Sequence, residues 1–478
     1  MWILYIVLGL LGLLLAVILL RAAFFRPKKA PEISQEAVDF DRKAAVFALQ
    51  KLIQCKTVSN VDHAKEDDAE FEKLIALLPD LYPRVFDICS IRRLPDRGLL
   101  FRWPGKHDTA PSVMMAHYDV VPVDEEKWDK PPFAAIIEDG VMWGRGTLDT
   151  KATFNGILSA ANHLIGKGFK PENDIYFAFS GGEEVNGKGA VHIVDYFERN
   201  GITPSMVVDE GGAVVRDVFP GVKESCAMIG IAEKGMINAQ YSVKSAGGHA
   251  SAPPVKTPVT TLAKACRSVI ENPFKMDITM PAVKMFDTLA RRSSFLYKLI
   301  FANLWCFRPV FDLICRASGG EMNALVRTTT AFTMMQGSSA RNVIPTEASL
   351  VSNMRLNPSD SVAGAVEYLN KVVNDPDVTI TVLESNEPSR ISRTDCDGWE
   401  KVASAVASTW KGCVVTPYLM VQCSDSRHYG RISDKVYRFS AMDLTGEERR
   451  SIHGNNERIR IECLAKASEF YLRLLRSC

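Results

Sequence analysis

Three short apolar runs in the first half of the chain stop abruptly at residues able to bind metal. Ser112 to Ala116 (SVMMA) leads into His117 and Asp119. Asp174 to Phe179 (DIYFAF) leads into Ser180, Gly181, Gly182, Glu183 and Glu184, and Ser205 to Val208 (SMVV) into Asp209, Glu210, Gly211 and Gly212. Continuous apolar runs rich in Val, Ile, Phe and Tyr and bounded by Gly read as strands buried on both faces, which predicts a sheet covered by helices. In open α/β sheets the ligand crevice lies just beyond the carboxyl ends of the strands. The pattern therefore predicts three strand ends converging on one crevice.

Two further segments supply what those strands lack. Asp149 stands in Gly144-Arg145-Gly146-Thr147-Leu148-Asp149-Thr150-Lys151, ahead of a stretch with helical apolar spacing at Ile157, Ala160, Ala161 and Leu164. That places a carboxylate at a helix start, where the macrodipole favours negative charge. His453 comes late, in Ser451-Ile452-His453-Gly454, and only folding brings it to the others. Zinc takes neutral imidazole and carboxylate ligands and keeps an open position when it is catalytic. Two His and three carboxylates, one of them bridging, would give each of two ions three protein ligands. A pair of dications roughly 3.5 to 4 Å apart acidifies a shared water and polarises a carbonyl, and a carboxylate off the metal must then take the proton. The adjacent Glu183 and Glu184 can divide those two jobs.

The segments Ala116-His117-Tyr118-Asp119-Val120-Val121-Pro122, Gly144 to Asp149, Gly181-Gly182-Glu183-Glu184 and Gly247-Gly248-His249-Ala250-Ser251 together resemble the co-catalytic zinc peptidase family of aminoacylase, succinyl-diaminopimelate desuccinylase and glutamate carboxypeptidase. The similarity is greatest to its carboxypeptidase S branch, which acts on Gly-X dipeptides or N-fatty-acyl amino acids. The resemblance covers roughly residues 40 to 478. It implies two zinc ions per subunit, with cobalt or manganese as alternatives. Asp149 would bridge them, His117 and Asp209 would complete one site, and Glu184 and His453 the other. It further implies Glu183 as general base and Asp119 as the support of the His117 ring. His249 would be an oxyanion stabiliser carried by a lid, in many relatives the lid of the partner subunit. Asn342 and Arg355 would be contacts to a substrate carboxylate, which a planar guanidinium suits. Ser424 and Arg427, in Gln422-Cys423-Ser424-Asp425-Ser426-Arg427, are weaker candidates, because Gln422 and Cys423 stand where the family commonly has small residues.

Taken singly, these residues have ordinary explanations. A lone His is more often structural than a ligand, which is how His63, His107, His163 and His192 are read; His428 stays open. Glu210 is the fallback ligand for Asp209. A Gly-Gly-Glu-Glu stretch alone is a polar turn, and Arg355 alone a surface cation. The joint occurrence in this order favours an enzyme over a noncatalytic membrane receptor or adaptor of the same fold, which would be expected to have lost Glu183 or a ligand. The substrate class is an N-acyl amino acid or dipeptide with a free carboxylate, with a dipeptidase as the near alternative.

The expected fold class is α/β: a catalytic domain with helices on both faces of a mixed sheet, plus an inserted α+β lid and dimerisation domain. The expected divisions are 1–24 as a transmembrane anchor or signal, 25–40 as linker, 40–232 and 391–478 as the catalytic domain, and 233–390 as lid. Homodimerisation would run through that lid. The lid is expected to carry an apolar insertion, about 286–320, in which Leu296, Ile300 and Leu304 form a helical stripe beside Arg and Lys residues. Such a stripe suits a membrane surface, an acyl chain or simple packing on the lid. At 478 residues more than one domain is expected, and a net charge of +1 gives no case for nucleic acid binding. Met1 to Leu20 holds no charged side chain, and about 20 apolar residues span a bilayer. With no basic start and no small-residue cleavage site, an anchor is favoured over a cleaved signal. Arg21, Arg26, Lys28 and Lys29 behind it point to a cytoplasmic enzyme, and eleven Cys without C-x-x-C pairs and the absence of a glycosylation sequon lean toward a reducing or bacterial setting. Secreted or lumenal relatives point the other way, and the side stays open.

Overall fold

The computed structural model describes residues 1–478. Its main sheet has eight strands, in the order Ser90–Leu94, Gly98–Trp103, Asn173–Ser180, His107–His117, Met206–Val215, Val436–Asp443, Cys226–Glu233 and Val414–Met420. His107–His117 runs parallel to both of its neighbours, while the first two strands form an antiparallel edge, so the sheet is mixed.

Side-chain alternation splits the apolar runs between two layers. Met114, Ala116, Ile175, Phe177 and Phe179 point to one face and pack on the helices Lys151–Gly166, Asp397–Thr409 and Ile461–Arg476 through Phe154, Ile157, Val402, Val406 and Phe470. Val113, Met115, Tyr176 and Ala178 point to the other and meet Ile193, Val194 and Phe197 of Gly189–Arg199. Both faces are covered, which is why the runs read as continuous rather than alternating.

A second sheet, all antiparallel, has the order Thr329–Gln336, Glu347–Leu356, Gly235–Lys244, Thr379–Asn386. One face packs on the helices Pro258–Glu271 and Val362–Val373 through Leu262, Ala265, Val269, Leu369 and Val373. The capping box at Thr257 and Thr260 and the N-cap Ser361 start these two helices.

Two expectations are corrected here. The run Ser205 to Val208 does not stop at Asp209; its strand continues to Val215 through an irregularity between Asp209 and Gly212. The insertion at 286–320 does not pack on the lid sheet. Phe286, Leu289, Phe311 and Cys315 join Val215, Phe219, Val222 and Leu419 in a core beneath the main sheet, and none of the insertion belongs to the core of the second sheet. Its aromatic side chains are the reason: Phe301 stacks 5.0 Å from Phe219 and 5.3 Å from both Phe286 and Phe311.

Candidate metal centre

His117 is the last residue of its strand and lies opposite Ser180, the last residue of the neighbouring parallel strand. The short turn Glu183–Val185 follows immediately. Parallel strands in register thus deliver an imidazole and two carboxylates at one level of the sheet.

Asp149 joins the two histidines. Its Oδ1 lies 3.0 Å from Nε2 of His117 and its Oδ2 2.9 Å from Nε2 of His453. His453 Nε2 is also 3.0 Å from Glu184 Oε2, and His117 Nε2 is 3.5 Å from Glu210 Oε1. Ligand atoms about 2.0–2.1 Å from a tetrahedral ion lie roughly 3.3 Å from one another, so this spacing is that of donors sharing ions. Ligand atoms of His117, Asp149 and Glu184, and of His117, Glu183 and Glu210, form two groups of metal-binding dimensions.

Asp119 holds this arrangement from behind. It is fully buried and accepts hydrogen bonds from Ser59 Oγ at 2.7 Å and from the amides of Glu183 and Glu184 at 3.2 Å each. His117 Nδ1 lies 3.0 Å from the Asp119 carbonyl oxygen and 3.3 Å from its Oδ1. Both are acceptors, so Nδ1 donates to them and Nε2 is the nitrogen left to face the cluster and to serve an ion there.

Glu457 does the same for Asp149. Its fully buried carboxylate accepts from Arg145 Nη1 at 2.7 Å and from the amides of Gly146, Leu148 and Asp149 at 3.1, 2.7 and 3.2 Å. Neither Glu457 nor Ser59 was singled out from sequence. The signal for Glu457 lay in the pairing of Gly-Arg-Gly, whose bare amides need an acceptor, with an acidic residue four positions after His453.

The contacts made just past residue 208 distinguish Asp209 from Glu210. The strand's register shifts between Asp209 and Gly212, so simple alternation does not set which of the two side chains reaches the cluster. Asp209 turns from the cluster and accepts the Ser426 amide at 3.0 Å, while Glu210 approaches His117. The structure thus brings Glu210, the fallback, to the cluster and ties Asp209 to the neighbouring loop.

The electrostatics show an excess of buried negative charge. Burial pushes the Glu183 carboxyl well above its ordinary value, Glu184 upward, and Glu210 up to about 8. Burial alone would lower His117, but Glu210, Asp119 and Asp149 raise it well above the usual imidazole range, and hydrogen bonds to Asp149 and Glu184 carry His453 up to about 10. Asp149 resists its burial and is lowered, because both imidazoles bond to it. Glu184 Oε1 is buried with no hydrogen-bond partner. Carboxylates outnumber imidazoles and one oxygen is unsatisfied, a donor set that fits two divalent cations.

A cleft of 850 Å³ opens over this cluster, lined by Asp149, Glu183, Glu184, Glu210 and His453, by apolar side chains including Val215, Val218, Val421 and Leu444, and by Arg355, Arg449 and Arg450. Arg355 Nη1 sits 3.3 Å from Cys423 Sγ. The other expected substrate contacts lie elsewhere. Ser424 is fully buried, bonded to Ser426 Oγ at 2.7 Å and to Glu233 through its amide. Arg427 donates to the Ser424 carbonyl and to Asn186 Oδ1, bracing the turn after Glu184. His249 and Asn342 are exposed on the lid, joined by the hydrogen bond from the Ala250 amide to the Asn342 carbonyl, and neither lines the cleft.

A profile of the peptidase family M20/M25/M40 matches residues 113–477, a span that includes every residue of the cluster. The chain belongs to this family. It is 34% identical to an N-fatty-acyl-amino acid synthase/hydrolase PM20D1 of Xenopus tropicalis, over 98% of this chain and 93% of that protein. It is 32% identical to a probable carboxypeptidase S-like 2 of Dictyostelium discoideum, over 98% and 92%. Among solved structures it resembles an M20 family metallo-carboxypeptidase, Sso-CP2 from Sulfolobus solfataricus, with a TM-score of 0.64 at 18% identity, covering 90% of this chain and 98% of that one. This M20 protein is a metallohydrolase, and its imidazoles and carboxylates cluster as a dinuclear centre requires.

Proposed function

We propose that this M20 enzyme is a membrane-anchored dizinc amidohydrolase that cleaves the amide of N-acyl amino acids with apolar acyl groups. The observation that carries the proposal is the cleft itself, where the His117, Asp149 and His453 cluster meets an apolar wall at Val215, Val218, Val421 and Leu444 and a cation at Arg355. His117 and Glu210 would hold one ion and Glu184 and His453 the other, with Asp149 available to both, and the bound metals would supply Lewis acidity for the scissile carbonyl and an acidified water.

The remaining chemistry belongs to the chain. Glu183 accepts the water proton and passes it to the leaving amine, with its backbone fixed by Asp119. Arg355 pairs with the carboxylate of the amino acid half, which orients the amide over the cluster. The acyl half lies along the apolar wall. His249 and Asn342, outside the cleft of their own chain, act from a second copy joined through the lid. Trp2–Phe24, 23 residues with no acidic side chain, spans the bilayer as an anchor.

The test is turnover of N-oleoyl and N-acetyl amino acids and of Gly-X dipeptides by purified full-length protein, with its metal content. Glu183→Gln is expected to keep two zinc ions and to lose at least about 10²-fold in kcat. Undiminished turnover would exclude Glu183 as base, and a preference for dipeptides would replace the acyl reading by a dipeptidase.

A further inference from the structure

The apolar insertion forms a helical hairpin, Phe295–Phe301 and Leu304–Ser318, that meets the N-terminal helix. Its turn is tied to that helix by two hydrogen bonds: Arg21 Nε donates to the Ala302 carbonyl at 3.0 Å, and Asn303 Nδ2 to the Ile18 carbonyl at 3.0 Å. Asn303 is fully buried, and Ile18 and Ala22 are the only buried residues of Trp2–Phe24. Lower down, Arg291 stacks 4.1 Å from the Phe25 ring and donates to the Arg26 carbonyl, and Lys28 pairs with Asp287. As the chain runs from Arg291 to Asn303, its partners therefore run backward from Phe25 to Ile18, so the first helix of the hairpin lies antiparallel to the anchor and climbs along it.

That geometry sets a depth. Ile18 precedes Phe24 by six residues, about 9 Å at 1.5 Å per residue. If Phe24 marks the end of the spanning segment, the hairpin turn sits about 9 Å inside it, within the 5–10 Å to which interfacial amphipathic helices sink. The inner face of the hairpin is anchored on the enzyme by Phe301 and Phe311 against Phe219 and Phe286. Its other face leaves Phe295, Leu296, Trp305, Leu313 and Ile314 each more than half exposed. A Trp beside the turn is placed as interfacial aromatic residues are, and the hairpin carries Lys298, Arg308 and Arg316 against one acidic residue, Asp312, the balance that anionic lipid headgroups attract.

We infer that the hairpin at residues 295–318 is a second membrane contact, dipping into the same leaflet that the C-terminal end of the anchor crosses. The occupant of its exposed face is lipid. The inference rests on the anchor reading of Trp2–Phe24, and it adds a surface that fixes the enzyme's orientation, since a single flexible tether would not. The chain leaves the hairpin directly into Gly320, Glu321 and Ala324, which line the catalytic cleft. The cleft is thereby held beside the bilayer, where an acyl amino acid with a long chain resides.

Tryptophan quenching separates the two contacts. Full-length protein is reconstituted in phosphatidylcholine vesicles containing lipids brominated near the top of the acyl chain or on the headgroup side, and compared with Trp2→Phe and Trp305→Phe. The expected result is that each substitution removes one tryptophan's share of the quenchable emission. If Trp2→Phe changes the quenching and Trp305→Phe does not, the hairpin lies off the lipid and the inference falls while the anchor stands. If neither changes it, the anchor reading and the inference fail together. Protection of Trp305 from aqueous iodide without quenching by brominated lipid would mean that a second copy of the chain covers the face, which also overturns the inference.

Discussion

Exchanging one oxygen for an amide at two adjacent positions, Asp209→Asn and Glu210→Gln, distinguishes the side chain that turns toward His117 from the one that turns away. Glu210 Oε1 lies 3.5 Å from His117 Nε2, at the separation of two ligands on one ion, and its carboxyl is pushed up to about 8 by burial and by Asp149. An amide there removes an anionic ligand. Loss of a partner that merely supports a ligand typically costs 10–100-fold in metal affinity, so loss of the ligand is expected to exceed about 100-fold, or about 2.8 kcal/mol at 1.4 kcal/mol per tenfold. Asp209 instead accepts the Ser426 amide at 3.0 Å. Asparagine keeps an acceptor there and removes a buried charge, a change of about 1 kcal/mol in stability with both metals retained. Zinc content is measured after dialysis against a graded series of chelator buffers. Glu210→Gln should hold one ion where the parent holds two, and Asp209→Asn should titrate as the parent does. If Asp209→Asn loses the ion and Glu210→Gln keeps both, the assignment of Glu210 as the ligand falls.

Glu457→Ala leaves the Arg145 guanidinium buried and three amides without their acceptor, for which about 3–5 kcal/mol is expected in urea unfolding; a change below 1 kcal/mol would show that the loop before Asp149 is held by other contacts. Stability of the metal-free enzyme should fall as pH rises from 5 to 8, because both the raised carboxyl of Glu210, at about 8, and the raised imidazole of His453, at about 10, bind more protons in the folded state than in the unfolded one over part of that interval. Metal binding displaces those protons, so the stabilisation conferred by added zinc should grow over the same interval. Thermal melts at pH 5 and pH 8, with chelator and with zinc, check both signs; a chelated protein that gains stability toward pH 8 would contradict the assignment.

Much of the centre was legible because the strands that deliver it are buried on both sides. Such strands must be continuous apolar runs, and a His or Gly-Gly-Glu-Glu at the end of one is conspicuous. His117, Asp149, Glu183, Glu184 and His453, singled out that way or through the resemblance their order carries, are the residues the structure brings together. Asp209 shows the limit. Where a strand runs on past its apolar stretch through a bulge, composition cannot say which of two neighbouring acids faces the crevice, because a shift of one residue exchanges the two faces. Ser424 and Arg427 show another, since a polar loop motif looks the same whether its side chains reach a substrate or brace the turn beneath it. Glu457 escaped notice because its partners are backbone amides, which leave no mark on the sequence.

The insertion at 286–320 illustrates how one pattern serves two surfaces. Its apolar residues suit either packing or a membrane, and in the fold they divide into a packed and an exposed set: Phe301 and Phe311 turn to Phe219 and Phe286, while Leu296, Trp305 and Leu313 turn outward. The inward set gives the hairpin a rigid base on the core under the main sheet, the same core that reaches Val215 and Met420 at the cleft. A surface held rigidly to the catalytic core transmits orientation, which a long linker would average away. On the proposed membrane reading, the hairpin's rigid base would hold the apolar wall of the cleft at a fixed orientation to the bilayer, which matters for a substrate with a long acyl chain.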